Sequence, residues 1–177
     1  MSFDYKSSYT LGHSYNVKIA ERLNNAGIRC YAPELRLAQN HSEIADFTAN
    51  EQDVVLLDVN GWIEVKSSSF SFEDGQPETA RTQMRNGSER TYDRLIVDTV
   101  SSFETKVVKP LAYVLISQKT DGVLVVPVTT KNNWTISHFF DYQRQHYDDF
   151  YQCPIQHLKT FDDLVAHLQS QSATLVQ

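Results

Sequence analysis

The chain has 177 residues, 41% hydrophobic and 11% aromatic, enough to bury one core, so a single domain over residues 1–177 is expected. A net charge of −6 and a pI near 5.4 exclude a protein that coats nucleic acid through bulk electrostatics, although a local basic cleft stays open. Cys30 and Cys153 are far apart and in no C-x-x-C pattern, which excludes a disulfide framework or a cysteine zinc site and fits free thiols in a reducing compartment, the cytoplasm being the simplest address.

The opening segment MSFDYKSSYT has no basic stretch followed by an apolar one, so it does not read as a secretory signal. The first ~10 and last ~8 residues are expected to fray. Residues 12 to 26 place Asn16, Ile19, Ala20, Leu23 and Ala26 at helical spacing, with Gly27 as a helix stop. Ile28 to Leu37 reads as irregular or briefly extended, broken by Pro33, and Ala38 to Gln52 as loop with about one turn of helix.

The segment DVVLLDVNGWIEVKSS carries two β-rich runs around Asp58-Val59-Asn60-Gly61, a hairpin signal. Ser67 to Arg94 is polar, broken by Gly75, Pro77 and Gly87, and reads mainly as surface loop. Leu95 to Val100, Leu111 to Ser117 and Val123 to Val128 are apolar and β-branched, the last two joined by the turn QKTDG; they supply further strands of a central sheet. The longest apolar run is far too short to span a bilayer. An aromatic segment, HFFDYQRQHYDDFYQ, precedes a short amphipathic helix at Phe161 to Leu168 with Thr160 as its N-cap. The core is expected over about 12–128, with a helical and aromatic extension over about 129–177.

Loop length decides which side chains of the hairpin meet, because opposed residues share a face and each strand alternates faces. A two-residue Asn60-Gly61 turn would separate Asp53 from Glu64 by roughly 13 Å along the strand, too far for one metal ion. A four-residue loop, Asp58 to Gly61, with Gly61 left-handed, pairs Leu57 with Trp62, Val55 with Glu64 and Asp53 with Lys66. Asp53 and Glu64 are then diagonal neighbours, roughly 7 to 8 Å apart at Cα, with Lys66 beside them. Hard carboxylate oxygens suit Mg²⁺ or Mn²⁺, such an ion polarises a phosphoryl oxygen and acidifies its water, and an adjacent lysine orients or deprotonates that water.

Asp53, ten intervening residues and then Glu64-Val65-Lys66 resemble the PD-(D/E)xK nuclease superfamily of restriction endonucleases and archaeal-type Holliday junction resolvases. The likeness includes the preceding helix and the following strands, roughly residues 12 to 128. It implies a three-layer α/β core, a mixed central sheet flanked by helices. It also implies Asp53, Glu64 and the Val65 carbonyl as metal ligands, Lys66 as the catalytic lysine, and DNA as the substrate of a Mg²⁺- or Mn²⁺-dependent endonuclease. Two positions depart from the pattern: Gln52 stands where the motif has proline, and the first helix offers Asn16 where relatives often place an acid. The apolar stripe points Asn16 towards the sheet and Glu21 away from it, so Asn16 is the expected accessory contact and Glu21 the reserve.

Other residues are weaker candidates. E-x-K alone is a common solvated strand pattern, and Asp58 reads as the opening residue of the turn, not a ligand. Arg81, Arg85, Arg90 and Arg94 are candidate phosphate contacts, but Glu89 and Asp93 are interleaved among them. The histidines show no ligand spacing. Relatives that cut duplexes are often symmetric dimers, which makes a homodimer, or a partner protein supplying recognition, an expectation. The competing readings are a catalytically inactive member of the same fold that binds nucleic acid or protein, and an unrelated α/β interaction module.

Overall fold

A computed structural model describes residues 5–36, 43, 47, 49–84, 86–141 and 145–174. The expected loop over Ala38 to Gln52 falls largely outside the described residues. The first helix, α1 (Tyr5–Asn25), begins within the segment expected to fray and ends where Gly27 takes φ 84°, as the sequence suggests. Ile19, Ala20 and Leu23 form its buried stripe.

Five strands form the main sheet: β1 (Cys30–Tyr31), β2 (Val54–Leu56), β3 (Trp62–Ser68), β8 (Ala112–Ser117) and β9 (Val123–Pro127), in the order β1-β2-β3-β8-β9. The β3–β8 pair is parallel and the other neighbours are antiparallel. The chain is thus a mixed α/β protein with a mixed sheet. Side chains alternate across it. Ile63, Val65, Val114, Ile116, Val123 and Val125 face a layer built from α1 and the C-terminal helix α3 (Phe161–Thr174), which contributes Phe161, Leu164 and Leu168.

The opposite face is covered mainly by β-structure. Tyr113, Leu115, Leu124 and Val126 pack with Leu95, Val97, Tyr151 and Cys153 of a second antiparallel sheet and with Phe103 of the short helix α2 (Val100–Thr105). The second sheet has the order β10-β11-β7, comprising β7 (Arg94–Thr99), β10 (Thr135–Asp141) and β11 (His146–Pro154). The aromatic segment is therefore a hairpin, locked by the parallel rings of Phe139 and Phe150, 4.3 Å apart. The chain beyond residue 128 is part of the core, since it supplies both this hairpin and α3. Helix α3 is longer than expected, but its start follows the sequence: Asp163 N–H donates to Thr160 Oγ1 and Thr160 N–H donates back to Asp163 Oδ2.

The polar stretch from Ser67 to Arg94 contains a third antiparallel sheet, β4 (Ser71–Glu73), β5 (Gln76–Gln83) and β6 (Glu89–Thr91). Only Phe72 and Ala80 are buried among these strands, so a sheet wet on most of its surface leaves little hydrophobic alternation to read. Strand β4 crosses close to the β8–β9 turn. A Cβ added at Gly122 would lie 2.1 Å from the Phe72 carbonyl oxygen and 2.9 Å from the Glu73 carbonyl carbon. Both are backbone atoms, so Gly122→Ala is expected to lower stability by about 1 to 3 kcal/mol, read as a shift of the urea midpoint with an unchanged slope. Among the described residues no helix is long and apolar enough to cross a membrane.

Candidate active site

The β2–β3 hairpin differs from its expected register. Val54 pairs with Ile63 and Val55 with Trp62, and Leu56 N–H donates to the Gly61 carbonyl at 3.2 Å. The loop has four residues as expected, but they are Leu57 to Asn60, one residue earlier in the chain. Two long-range contacts account for the shift. Val59 turns inward and is 8% exposed, and Gly61 lies against Leu111, whose Cδ1 would be 2.7 Å from a Cβ at that position. Gly61 is not left-handed; the close approach, not its φ, uses the missing side chain.

Asp53 precedes β2, one residue beyond the Val54–Ile63 pair, and lies close enough to Glu64 for the two carboxylates to oppose each other's charge. Strand β2 begins at Val54 whereas β3 runs on to Ser68, so the Asp53 carboxylate meets the edge of β3 past the end of the ladder. Its Oδ2 accepts from Val65 N–H at 2.8 Å and its Oδ1 from Asn16 Nδ2 at 2.9 Å. The N–H and C=O of one residue in an extended strand point to the same edge, so the Val65 carbonyl faces the Asp53 side. Asn16 is thus the α1 residue bonded to Asp53, and Glu21 is exposed.

Glu64 and Lys66 project together from the face of β3 opposite Ile63 and Val65. Glu64 is 7% exposed, and its Oε1 lies 2.7 Å from Lys66 Nζ and 3.5 Å from Lys106 Nζ. Asp98, at the end of β7, lies 3.5 Å from Lys66 Nζ through Oδ1 and 3.1 Å from Lys106 Nζ through Oδ2. Tyr113 OH also donates to Asp98 Oδ2 at 2.9 Å. Asp98, Lys106 and Tyr113 were not among the residues the sequence singled out. One signal was there: Asp98 is the sole charge inside the apolar run Leu95 to Val100, and a carboxylate in a buried strand needs a partner.

The electrostatics follow from this packing. Burial first, and the charge of Glu64 second, push the Asp53 carboxyl up to about 7, against the pull of Lys66, Val65 N–H and Asn16. Burial alone would lower Lys66, but the carboxylates of Asp98, Glu64 and Asp53 outweigh it and hold the ammonium above the ordinary lysine range. Burial likewise works against the charged form of Asp98, and Lys66, Lys106 and the Tyr113 hydroxyl overcome it, keeping that carboxyl below its usual range. Lys66 and Lys106 each lie within ion-pair distance of both Glu64 and Asp98, whereas burial and Glu64 oppose the charged form of Asp53.

The Asp53–Glu64 pair could hold a hard cation through its carboxylate oxygens. Each carboxylate keeps lone pairs beyond the bonds described, and the Val65 carbonyl adds a third oxygen from the same edge. Among the described residues no group of three or more His, Cys, Asp or Glu side chains is arranged to hold a metal. Asp58 is no ligand here: it forms an ion pair with Arg29 across the hairpin loop.

The arginines stand apart. Arg81 on β5 lies 3.6 Å from Glu89, Arg90 on β6 stacks over the Tyr92 ring at 5.3 Å, and Arg94 donates to Thr135 Oγ1 at 3.0 Å. No contact among the described residues ties these three to Asp53, Glu64 or Lys66, and Arg85 lies outside the described residues. Compared with known proteins, the chain matches no family model, no curated protein and no solved structure.

Proposed function

We propose that this chain is a metal-dependent phosphodiesterase that cleaves DNA as an endonuclease, with a restriction-endonuclease-like core of the PD-(D/E)xK type. The observation that carries the reading is the Asp53 carboxylate, bonded to Val65 N–H at the edge of β3 within electrostatic reach of Glu64, which in turn holds Lys66 at 2.7 Å. Like-charged carboxylates brought together in a half-buried place repel each other unless a cation joins them. The choice of DNA rests on the motif's resemblance.

In this reading Asp53, Glu64 and the Val65 carbonyl hold Mg²⁺ or Mn²⁺, which supplies polarisation of the phosphate and an easier ionisation of water. Asn16 orients Asp53 through Oδ1, and Val65 N–H fixes its other oxygen. Lys66 is kept as an ammonium by its carboxylate neighbours, so its part is to orient water and offset charge building on the phosphate, not to accept a proton. Cutting both strands of a duplex requires two such sites, from a symmetric dimer or a partner protein that also supplies recognition.

Calorimetric titration with Mn²⁺ tests the donor set. One site per chain is expected for the wild type, with none resolved for Glu64→Gln. Equal heats for the two proteins would remove Glu64 from the site. A second reading, a non-catalytic module of the same fold, draws on the bonds that already engage both Asp53 oxygens and Glu64 Oε1. It predicts a folded wild type with no calorimetric binding at all.

A further inference from the structure

We infer that Asp98 is a positioning residue for Lys66, a role that rests on the nuclease reading for its catalytic meaning but not for its geometry. Residues 98, 102 and 106, from β7, α2 and the residue that ends α2, are spaced by four, and all three side chains meet. Asp98 Oδ2 accepts from Ser102 Oγ at 3.1 Å, Lys106 Nζ at 3.1 Å and Tyr113 OH at 2.9 Å. Its Oδ1 accepts from Thr99 N–H at 2.9 Å and faces Lys66 Nζ at 3.5 Å. Lys106 Nζ is itself tied to Ser102 Oγ at 2.9 Å.

The carboxylate is thus fixed by four donors from four residues, and at 6% exposure it has no room to reorient. Lys66 differs. Its side chain is 35% exposed, and a lysine stem of four carbons has many rotamers unless something holds its end. Glu64 alone supplies one restraint, and from a group that the metal would also engage. Asp98 supplies the second restraint from a group outside the donor set. Lys66 and then Lys106 supply the charge that lets Asp98 stay ionised in this enclosed place, and Lys106 Nζ also lies 3.5 Å from Glu64 Oε1. The ammonium of Lys66 then stands at a defined point where the buried network opens to solvent, which is where a phosphate would arrive.

The test pairs a spectroscopic reading with kinetics on the full chain. Lysine ammonium ¹H–¹⁵N correlation spectra are expected to show slowed-exchange signals for Lys66 and Lys106, assigned with Lys66→Met and Lys106→Met. In Asp98→Asn the Lys66 signal should disappear or move. For plasmid cleavage with Mg²⁺, kcat should fall about 10- to 100-fold, the loss typical of an outer-shell partner, while KM and Mn²⁺ affinity stay within about twofold. Asp98→Glu should restore part of kcat. If Asp98→Asn does not fold, Asp98→Asn/Lys106→Met removes one charge of each sign and is read the same way.

An unchanged Lys66 signal, or an unchanged kcat per folded molecule, would overturn the assignment and leave Asp98 as a structural counterion of Lys106. If the wild type cuts no DNA, the nuclease reading falls, and the Lys66 signal alone still decides whether Asp98 holds the lysine.

Discussion

Asp53→Asn is expected to abolish cleavage while making the metal-free protein more stable at pH 8. Catalysis should fall at least ~10²-fold, because partners outside the donor set already cost about 10- to 100-fold in metal sites. Stability moves the other way because the folded chain holds the Asp53 proton up to about 7, against an ordinary value of 3.8. Between about pH 4 and 7 the folded state therefore binds more protons than the unfolded state. Stability of the metal-free wild type falls as pH rises through that window. Asparagine does not ionise and keeps an oxygen for the Val65 N–H. The full shift is worth on the order of 4 kcal/mol; with the lost acceptor for Asn16 set against it, a gain of about 2 kcal/mol, or roughly 4 to 8 °C in Tm for a chain of this size, is expected at pH 8, and it should shrink and reverse as pH falls towards 4. Saturating Mn²⁺ should stabilise the wild type and leave the variant unmoved. A variant less stable than wild type at pH 8 would mean that the hydrogen bonds of Asp53 outweigh its repulsion from Glu64.

The second large effect belongs to Asp98→Asn, and it is on stability. The substitution leaves Lys66 and Lys106 with Glu64 as their nearest carboxylate, and removing one partner of a buried ion pair typically costs about 3 to 5 kcal/mol. Lys66 is partly exposed, so the loss should lie at the lower end, on the order of 3 kcal/mol at pH 7. Because the Asp98 carboxyl is held below its ordinary 3.8, its contribution is complete above about pH 4 and is lost as pH falls through the folded value. Urea titrations of both proteins should therefore differ most at neutral pH and converge in strong acid. Adding Lys106→Met should recover part of the loss by removing the orphaned charge. A constant difference across pH would point to packing and not to the ion pair.

Much of this fold was legible where neighbours in sequence decide the outcome. The stripe Ile19, Ala20 and Leu23 gave α1 and, with it, the inward direction of Asn16; Thr160 and Asp163 gave the start of α3. The runs from Leu111 and Val123 gave β8 and β9, because strands buried on both faces are apolar throughout. What was hidden depends on contacts between distant parts of the chain. The β2–β3 register turns on Val59 entering the core and Leu111 pressing on Gly61, and neither can be read from the hairpin. Strands β4 to β6 and the β10–β11 hairpin mix polar and aromatic residues because much of their surface is wet, so their period is faint. The same division runs through the candidate site. Asp53, Glu64 and Lys66 lie on one hairpin and share a spacing, whereas Asp98, Lys106 and Tyr113 arrive from β7, the end of α2 and β8, and only folding brings them to Lys66.

The Asp53–Glu64–Lys66 cluster is proposed to hydrolyse DNA with a divalent cation. The most direct test is incubation of supercoiled, linear, single-stranded and branched DNA with the wild type, with Lys66→Met and with Asp53→Asn, in Mg²⁺, in Mn²⁺ and in EDTA, each variant first shown to be folded. Cleavage by the wild type that requires the cation and disappears in both variants is the predicted result. Cleavage that persists in Lys66→Met, or no cleavage of any substrate by a folded, Mn²⁺-binding wild type, would contradict it.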